Sequence, residues 1–271
     1  MHDDDKVLKK FKDTYAKDLI LSQMGEDAVY YADDFVVTDF FYEKYKRLVS
    51  DNKKLLAGKT LLDVGANMGH WGLLSLMDGA TSVTCLEPRR QYVDGLNTFS
   101  KKHGLDISAV QGIHSDIFGW NKNFDVVMLS SIVTSIPDIF DFLKKLKGIT
   151  KHVIIRHVSL RDVPTDMCKM EKTYNFTHRS SVDLRSDGYL NNKTGNQYDI
   201  KNSTIDPGQV DDGTSYWWFY GIDYLVELFN YFGYKILRLE EQKSNGPEGT
   251  LYLSDNQLFH DIVLEAPDRT V

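Results

Sequence analysis

The segment Asp63-Val64-Gly65-Ala66-Asn67-Met68-Gly69 carries the most readable chemistry in this chain. An apolar run through Leu61 and Leu62 meets an acid, then a turn with glycines on either side of Asn67, then residues that read as a helix from Trp71. Glycine admits conformations that let a ligand approach the backbone closely, and a helix beginning beyond the turn has first-turn amides without partners inside the helix. A nucleotide-like occupant is the natural expectation, with Gly65, Ala66, Asn67 and Gly69 as its backbone cradle. Glu87-Pro88 ends the next apolar run. Doubly wound folds place an acid there, where it accepts hydrogen bonds from two ribose hydroxyls without needing a metal. The competing reading is that the glycines serve only a tight turn between a strand and a helix.

These residues must be positioned by regular elements, and the hydrophobic periodicity supplies them. Short apolar strands are expected at 60–64, 82–86, 107–110, 124–129 and 152–158, with helices at 71–77, 90–102 and 139–147 between them. That alternation predicts a parallel sheet with crossover helices. Residues 1–55 read as a helical leader packed on the main domain of residues 56–271, with Phe11, Tyr15, Leu19 and Ile20 at helical spacing and a second aromatic group at Phe35, Phe40, Phe41, Tyr42, Tyr45 and Leu48. Residues 159–215 break the rhythm, being rich in Asn, Asp, Ser, Thr and Gly. An insertion of that length is expected to be a lid, a binding element or disordered. Order is expected again in a helix at 222–231 and strands at 234–239 and 258–264, the last two forming an antiparallel pair across a loop containing Gly246, Pro247 and Gly249.

On these residues the chain resembles the class I S-adenosylmethionine-dependent methyltransferases, whose first motif is an acid followed by a Gly-x-Gly-x-Gly loop. Asn67 stands at the central glycine, and with Glu87-Pro88 downstream this variant looks most like the FkbM-type form. The resemblance covers mainly residues 59–158, with a looser match over 217–264. It implies an α/β, doubly wound, mostly parallel seven-stranded sheet with its last strand antiparallel. It also implies S-adenosyl-L-methionine as cofactor and S-adenosyl-L-homocysteine as product. By position, Gly65, Asn67 and Gly69 fall around the methionine moiety, Glu87 on the ribose, and Asp63 on the loop and the cofactor's ammonium. Asp116 with Ile117 falls on the adenine, Asp116 having the competing reading of a helix cap or surface acid. Ser130 opens the segment after the fourth strand that lines the transfer site.

Methyl transfer from a sulfonium is an in-line displacement, so alignment and a dry pocket matter most, and a base is needed only for a neutral hydroxyl acceptor. Many relatives carry a histidine or tyrosine shortly after the fourth strand, where this chain has Thr134 and Ser135. His157, at the end of the fifth strand, is the candidate base, against the reading of a hydrogen-bonded strand-end histidine. Strand alternation sends its neighbour Arg156 to the opposite face. Tyr174, His178 and Arg179 in the insertion and Trp217 in the block Tyr216-Trp217-Trp218-Phe219-Tyr220 are candidates for binding the acceptor. Tyr174 and His178 would share a face if that piece were helical. His70 and Trp71 are placed to touch the cofactor's tail or simply to pack.

The 271-residue chain has 39 acidic against 32 basic side chains, a net charge of -7. That argues against a surface that coats nucleic acid. A local basic run at Lys144, Lys145, Lys147, Lys151, Arg156 and Arg161 keeps an RNA acceptor as an alternative. The Asn-Pro-Pro-Tyr type tetrad of base-directed enzymes is missing from the sequence. A small-molecule acceptor is therefore expected, with a nicotinamide oxidoreductase or a non-catalytic scaffold as further alternatives. No stretch has the ~20 apolar residues of a membrane span. The acidic start at residues 1–6, whose three aspartates before a lysine resemble a protease-cleavage tag, has no apolar run behind it. With Cys85 and Cys168 forming no metal-type cluster, a reduced, cytoplasmic protein without a metal site is expected.

Overall fold

Apolar runs that alternate with helices build a sheet covered on both sides. In the computed structural model, which describes residues 3–24, 39–160, 164, 166–174, 209–210, 214–243 and 257–267, the first five strands are β1 (Thr60–Val64), β2 (Ser82–Glu87), β3 (Ile107–Gln111), β4 (Phe124–Ser130) and β5 (Thr150–Leu160). They pair in parallel, β1 with β2 and β4, β2 with β3, and β4 with β5. Three further strands, β6 (Cys168–Tyr174), β7 (Gln209–Val210) and β8 (Thr214–Tyr220), make a separate antiparallel sheet in the order β6-β8-β7. β9 (Lys235–Lys243) and β10 (Gln257–Glu265) complete the main sheet, whose seven strands run β3-β2-β1-β4-β5-β10-β9. β10 lies antiparallel between β5 and β9, as expected for the last strand.

The helices are α1 (Asp3–Phe11), α2 (Lys17–Met24), α3 (Asp39–Leu48), α4 (Lys53–Leu56), α5 (His70–Met77), α6 (Arg90–His103), α7 (Ile139–Leu146) and α8 (Ile222–Tyr231). A π-helical turn, Lys12–Ala16, joins α1 to α2. Strand alternation sorts the core into two layers. Leu61, Val83, Cys85, Val126, Met128 and Ile154 pack towards α5, α6 and the amino-terminal helices, where Phe11, Leu19, Tyr45 and Leu48 are buried. Leu62, Val64, Leu86, Val127, Leu129 and Ile155 pack towards α7 and α8. The side chain of Asp138 caps α7 by accepting from the Asp141 amide at 2.9 Å.

Most expected elements fall within two residues of their observed bounds. β9 runs four residues past its expected end, and the largest departure lies within residues 159–215, where sequence patterning indicated only an irregular insertion. β6, β7 and the first two residues of β8 lie there, and Phe219 and Tyr220 at the end of β8 are buried. The Tyr220 hydroxyl donates to the Ile136 carbonyl at 2.6 Å, anchoring the small sheet beside the segment that follows β4.

Candidate functional site

β1 is followed by β2 on one side and paired with β4 on the other, so the chain reverses its winding between β1 and β4. In open α/β sheets, ligands bind at the carboxyl ends of the strands at such a switch point. The Gly65 to Gly69 turn lies there. Gly65, Asn67 and Gly69 take φ of 70°, 52° and 77°. Asn67 and Ser131 (φ 61°), the latter just beyond β4, are the non-glycine residues with positive φ among the described residues. Asparagine tolerates that region better than most residues, and strained backbone of this kind gathers at ligand sites. A Cβ on Gly65 would stand 2.8 Å from Ile132 Cδ1, so the turn is pressed against the segment after β4.

The amides of Gly65 and Ala66 both donate to the Leu86 carbonyl, at 2.8 and 3.0 Å, and the Gly69 amide donates to Ala66 at 2.9 Å. The Asn67 amide donates to Glu87 Oε2 at 2.8 Å. These four amides are engaged within the protein, so the turn offers a ligand shape and carbonyls, and charge recognition falls to side chains. Glu87 is buried at the end of β2, its Oε1 accepting from the backbone amide of Arg89 at 3.1 Å and from the Arg89 guanidinium. A carboxylate has about four lone-pair sites, so acceptor capacity for a ribose remains. Pro88 continues the same corner, and its carbonyl accepts from Gln111 Nε2 at 3.1 Å.

Asp63 is the electrostatic oddity. Its side chain is fully buried, and neither carboxylate oxygen has a hydrogen-bond partner of full geometry. Burial pushes its pKa up to about 7, against the opposing influence of the Lys44 ammonium and the Gly72 amide. The buried Ser130 Oγ at the end of β4 also lacks a partner. Two polar groups at adjacent strand ends therefore stand ready for a polar ligand. His70 and Trp71 open α5, and burial holds His70 down at about 4, so it is neutral. Trp71 packs on Phe41 at 4.8 Å between ring centroids and lies beneath Lys44 Nζ at 4.9 Å.

The other expected site residues divide. Asp116 Oδ2 accepts from the Ile113 amide at 2.7 Å, closing the turn after β3, while Ile117 is buried beside it. His157 is fully buried, and its Nε2 lies 2.6 Å from the Tyr220 carbonyl. Burial drives its pKa down to about 3. With Nε2–H committed to that carbonyl and Nδ1 buried without a partner, His157 is neutral and shut off from the surface, an arrangement that suits a structural histidine better than a base. Arg156 does point to the opposite face, where its guanidinium meets Asp261 at 2.9 Å and Gln242 at 3.0 Å. It is therefore buried and paired and does not belong to an exposed basic patch. Tyr174 ends β6, which removes the helical premise for pairing it with His178. Trp217 stands in β8 opposite Glu171 of β6. The side chains of Tyr174 and Trp217, and all of His178, Arg179 and Arg161, lie outside the described residues.

Sequence reasoning missed the contributions of the amino-terminal helices. Gln23 of α2 donates to the Met68 carbonyl at 2.9 Å, and Lys44 of α3 reaches Trp71. Both are polar residues on helices whose readable signal was apolar spacing, and nothing local marks their tertiary partners. A separate cleft of about 410 Å³ is lined by Thr60, Phe124, Thr150 and Pro267. It opens at the amino ends of β1, β4 and β5, opposite the glycine turn. Among the described residues no three His, Cys, Asp or Glu side chains cluster as metal ligands, and no helix is long and apolar enough to cross a membrane.

No family model and no curated protein matches the chain. Solved structures do. The amino-terminal domain of EvdMO1, determined in the presence of S-adenosylhomocysteine and D-fucose, aligns with a TM-score of 0.53 at 12% identity over 82% of each chain. A Listeria monocytogenes protein assigned as an S-adenosylmethionine dependent methyltransferase aligns with a TM-score of 0.53 at 16% identity over 84% of this chain and 98% of its own. The [4+2]-cyclase SpnF aligns with a TM-score of 0.53 at 12% identity over 84% and 82%. The chain thus has the seven-stranded Rossmann-like fold that S-adenosylmethionine-dependent methyltransferases share.

Proposed function

We propose that this chain is an S-adenosylmethionine-dependent methyltransferase with an FkbM-like first motif, acting on an oxygen or nitrogen of a small-molecule acceptor and leaving S-adenosylhomocysteine. The observation that carries this reading is the pair of buried acids at adjacent strand ends, with unpartnered Asp63 on β1 and Glu87 on β2 bracketing a positive-φ turn. A cofactor with an ammonium at one end and a ribose diol in the middle suits both. Asp63 accepts from the ammonium, the remaining acceptor site on Glu87 Oε2 accepts from a ribose hydroxyl, and Asp116 and Ile117 meet the adenine edge and face. When bound, the cofactor supplies an electrophilic methyl group on a sulfonium.

The residues around it align and enclose. Gly65, Ala66, Asn67 and Gly69 fix the distance between the acids, and Ser130 with the Ser131 kink shapes the wall between cofactor and acceptor. In-line displacement draws its acceleration from such positioning and from the exclusion of water. The small sheet and the insertion between β6 and β7, with Tyr174, His178, Arg179 and Trp217, form the acceptor side and act as a cap. The amino-terminal helices serve as a lid over the cofactor's tail.

The fold also accommodates the cyclase SpnF, so the reaction must be tested directly. Incubation with cofactor labelled in the methyl group, offered separately to a small-metabolite fraction and to RNA, should place label in the small-molecule fraction. Label in RNA would make the acceptor assignment wrong. Label in neither, together with consumption of a nicotinamide cofactor, would favour an oxidoreductase.

A further inference from the structure

We propose that Lys44 of α3 binds the carboxylate of the cofactor's amino-acid tail while Asp63 takes the ammonium of the same tail, so that the amino-terminal segment completes the cofactor site. This rests on the methyltransferase reading above.

The placement of α3 is the first ground. Phe41, one turn before Lys44, packs at a tilt on Trp71 and lies edge-on to His70 at 5.9 Å, so α3 crosses the first turn of α5 beside the glycine turn. Residues three apart share a helix face, which carries Lys44 over the same spot. Its ammonium lies 4.9 Å above the Trp71 ring.

The second ground is the accounting of charge. Arg156 is held by Asp261 and Gln242, Arg89 by Glu87, and Lys53 by Asp78 at 2.9 Å. Lys44 forms no ion pair with a carboxylate among the described residues, although the field of Asp63 reaches it. Asp63 is buried, and neither of its oxygens has a hydrogen-bond partner of full geometry. A buried carboxylate and a half-buried ammonium thus act on each other without an ion pair between them. An α-amino acid group carries the complementary charges on one carbon and can engage both.

The electrostatics agree. Burial and the neighbouring Arg156 pull Lys44 down to about 7, while burial pushes Asp63 up to about 7. In the free chain both groups are close to losing their charge at neutral pH. A zwitterionic ligand restores both, Lys44 taking up a proton as Asp63 releases one.

The test uses the full chain and two ligands. S-adenosylhomocysteine carries the amino-acid tail, and 5′-methylthioadenosine has the same nucleoside and thioether without it. Calorimetric titration of Lys44→Ala should weaken S-adenosylhomocysteine about 10- to 100-fold, the range of a lost charged hydrogen bond, and leave methylthioadenosine within about 2-fold. Lys44→Arg should restore most of the loss. An unchanged affinity for S-adenosylhomocysteine, or an equal loss for both ligands, would overturn the role of Lys44. Wild-type chain that binds methylthioadenosine but not S-adenosylhomocysteine would overturn it too, leaving a nucleoside site. Wild-type chain that binds neither would overturn the cofactor reading itself.

Discussion

Glu87 Oε2 accepts a hydrogen bond from the backbone amide of Asn67 at 2.8 Å, so the acid that ends β2 holds the turn that follows β1. The same carboxylate keeps Arg89 in place, and the Arg89 guanidinium rests over the Tyr92 ring at 4.2 Å. Glu87 thus shapes the site before any ligand arrives. Glu87→Ala leaves a buried amide and a cation without their acceptor, which costs about 1 to 3 kcal/mol of stability. It should also weaken S-adenosylhomocysteine about 30-fold or more. Glu87→Gln, which keeps an acceptor for the amide, should retain most of the stability and lose much of the affinity. Urea denaturation and calorimetry on the two variants separate the effects.

Asn67 occupies a left-handed conformation at φ 52°. Asn67→Gly should leave stability within about 0.5 kcal/mol, because glycine enters that region freely. Asn67→Val should lose about 1 to 2 kcal/mol, the penalty for a branched L-residue there. Thermal unfolding of the two variants in parallel reads the difference.

The strand positions and the glycine turn were legible because both are written locally. Apolar runs of strand length alternate with helix-length segments, and the acid at Glu87 stands where the second strand must end. The small sheet was not legible, since β6, Cys168–Tyr174, contains two lysines and a glutamate among its residues and reads as polar loop until β8 pairs with it. His157 looked like a base because sequence shows a histidine at a strand end and not what covers it. Tyr220 covers it. Lys44 and Gln23 stayed hidden for the converse reason: their partners, Trp71 and the Met68 carbonyl, are distant in sequence, and helical spacing reports only the apolar face.

Gly95 of α6 is the point where the amino-terminal helices touch the site's supporting layer. A Cβ there would stand 2.5 Å from the Ser22 carbonyl oxygen and 2.5 Å from Gln23 Cγ. Gly95→Ala should therefore push α2 away, weaken the Gln23 bond to Met68 and cost about 1 to 3 kcal/mol. Faster proteolytic cleavage within residues 1–55 and weaker binding of S-adenosylhomocysteine should appear together. Gly119→Ala is the control, since nothing lies within 4 Å of its Cβ position.

The raised pKa of Asp63 fixes the sign of a pH effect. Its folded value of about 7 exceeds the ordinary 3.8, so between those values the folded state holds a proton that the unfolded state releases. Stability contributed by this group is therefore lost as pH rises from about 4 to about 7, with a slope of up to about 1.4 kcal/mol per pH unit. Buried His70, held down at about 4, acts in the opposite direction over part of that range. The difference between Asp63→Asn and wild type isolates the carboxylate. The variant should gain relative stability as pH rises through that window, and parallel stability curves would show that Asp63 is not desolvated.

The central claim is that the paired acids and the turn between them bind the methyl donor. The direct measurement is calorimetric titration of the wild-type chain with S-adenosylmethionine, S-adenosylhomocysteine and NAD under identical conditions. The account predicts one-to-one binding of the two sulfur ligands and no heat from NAD beyond dilution. Binding of NAD, or of none of the three, would contradict it.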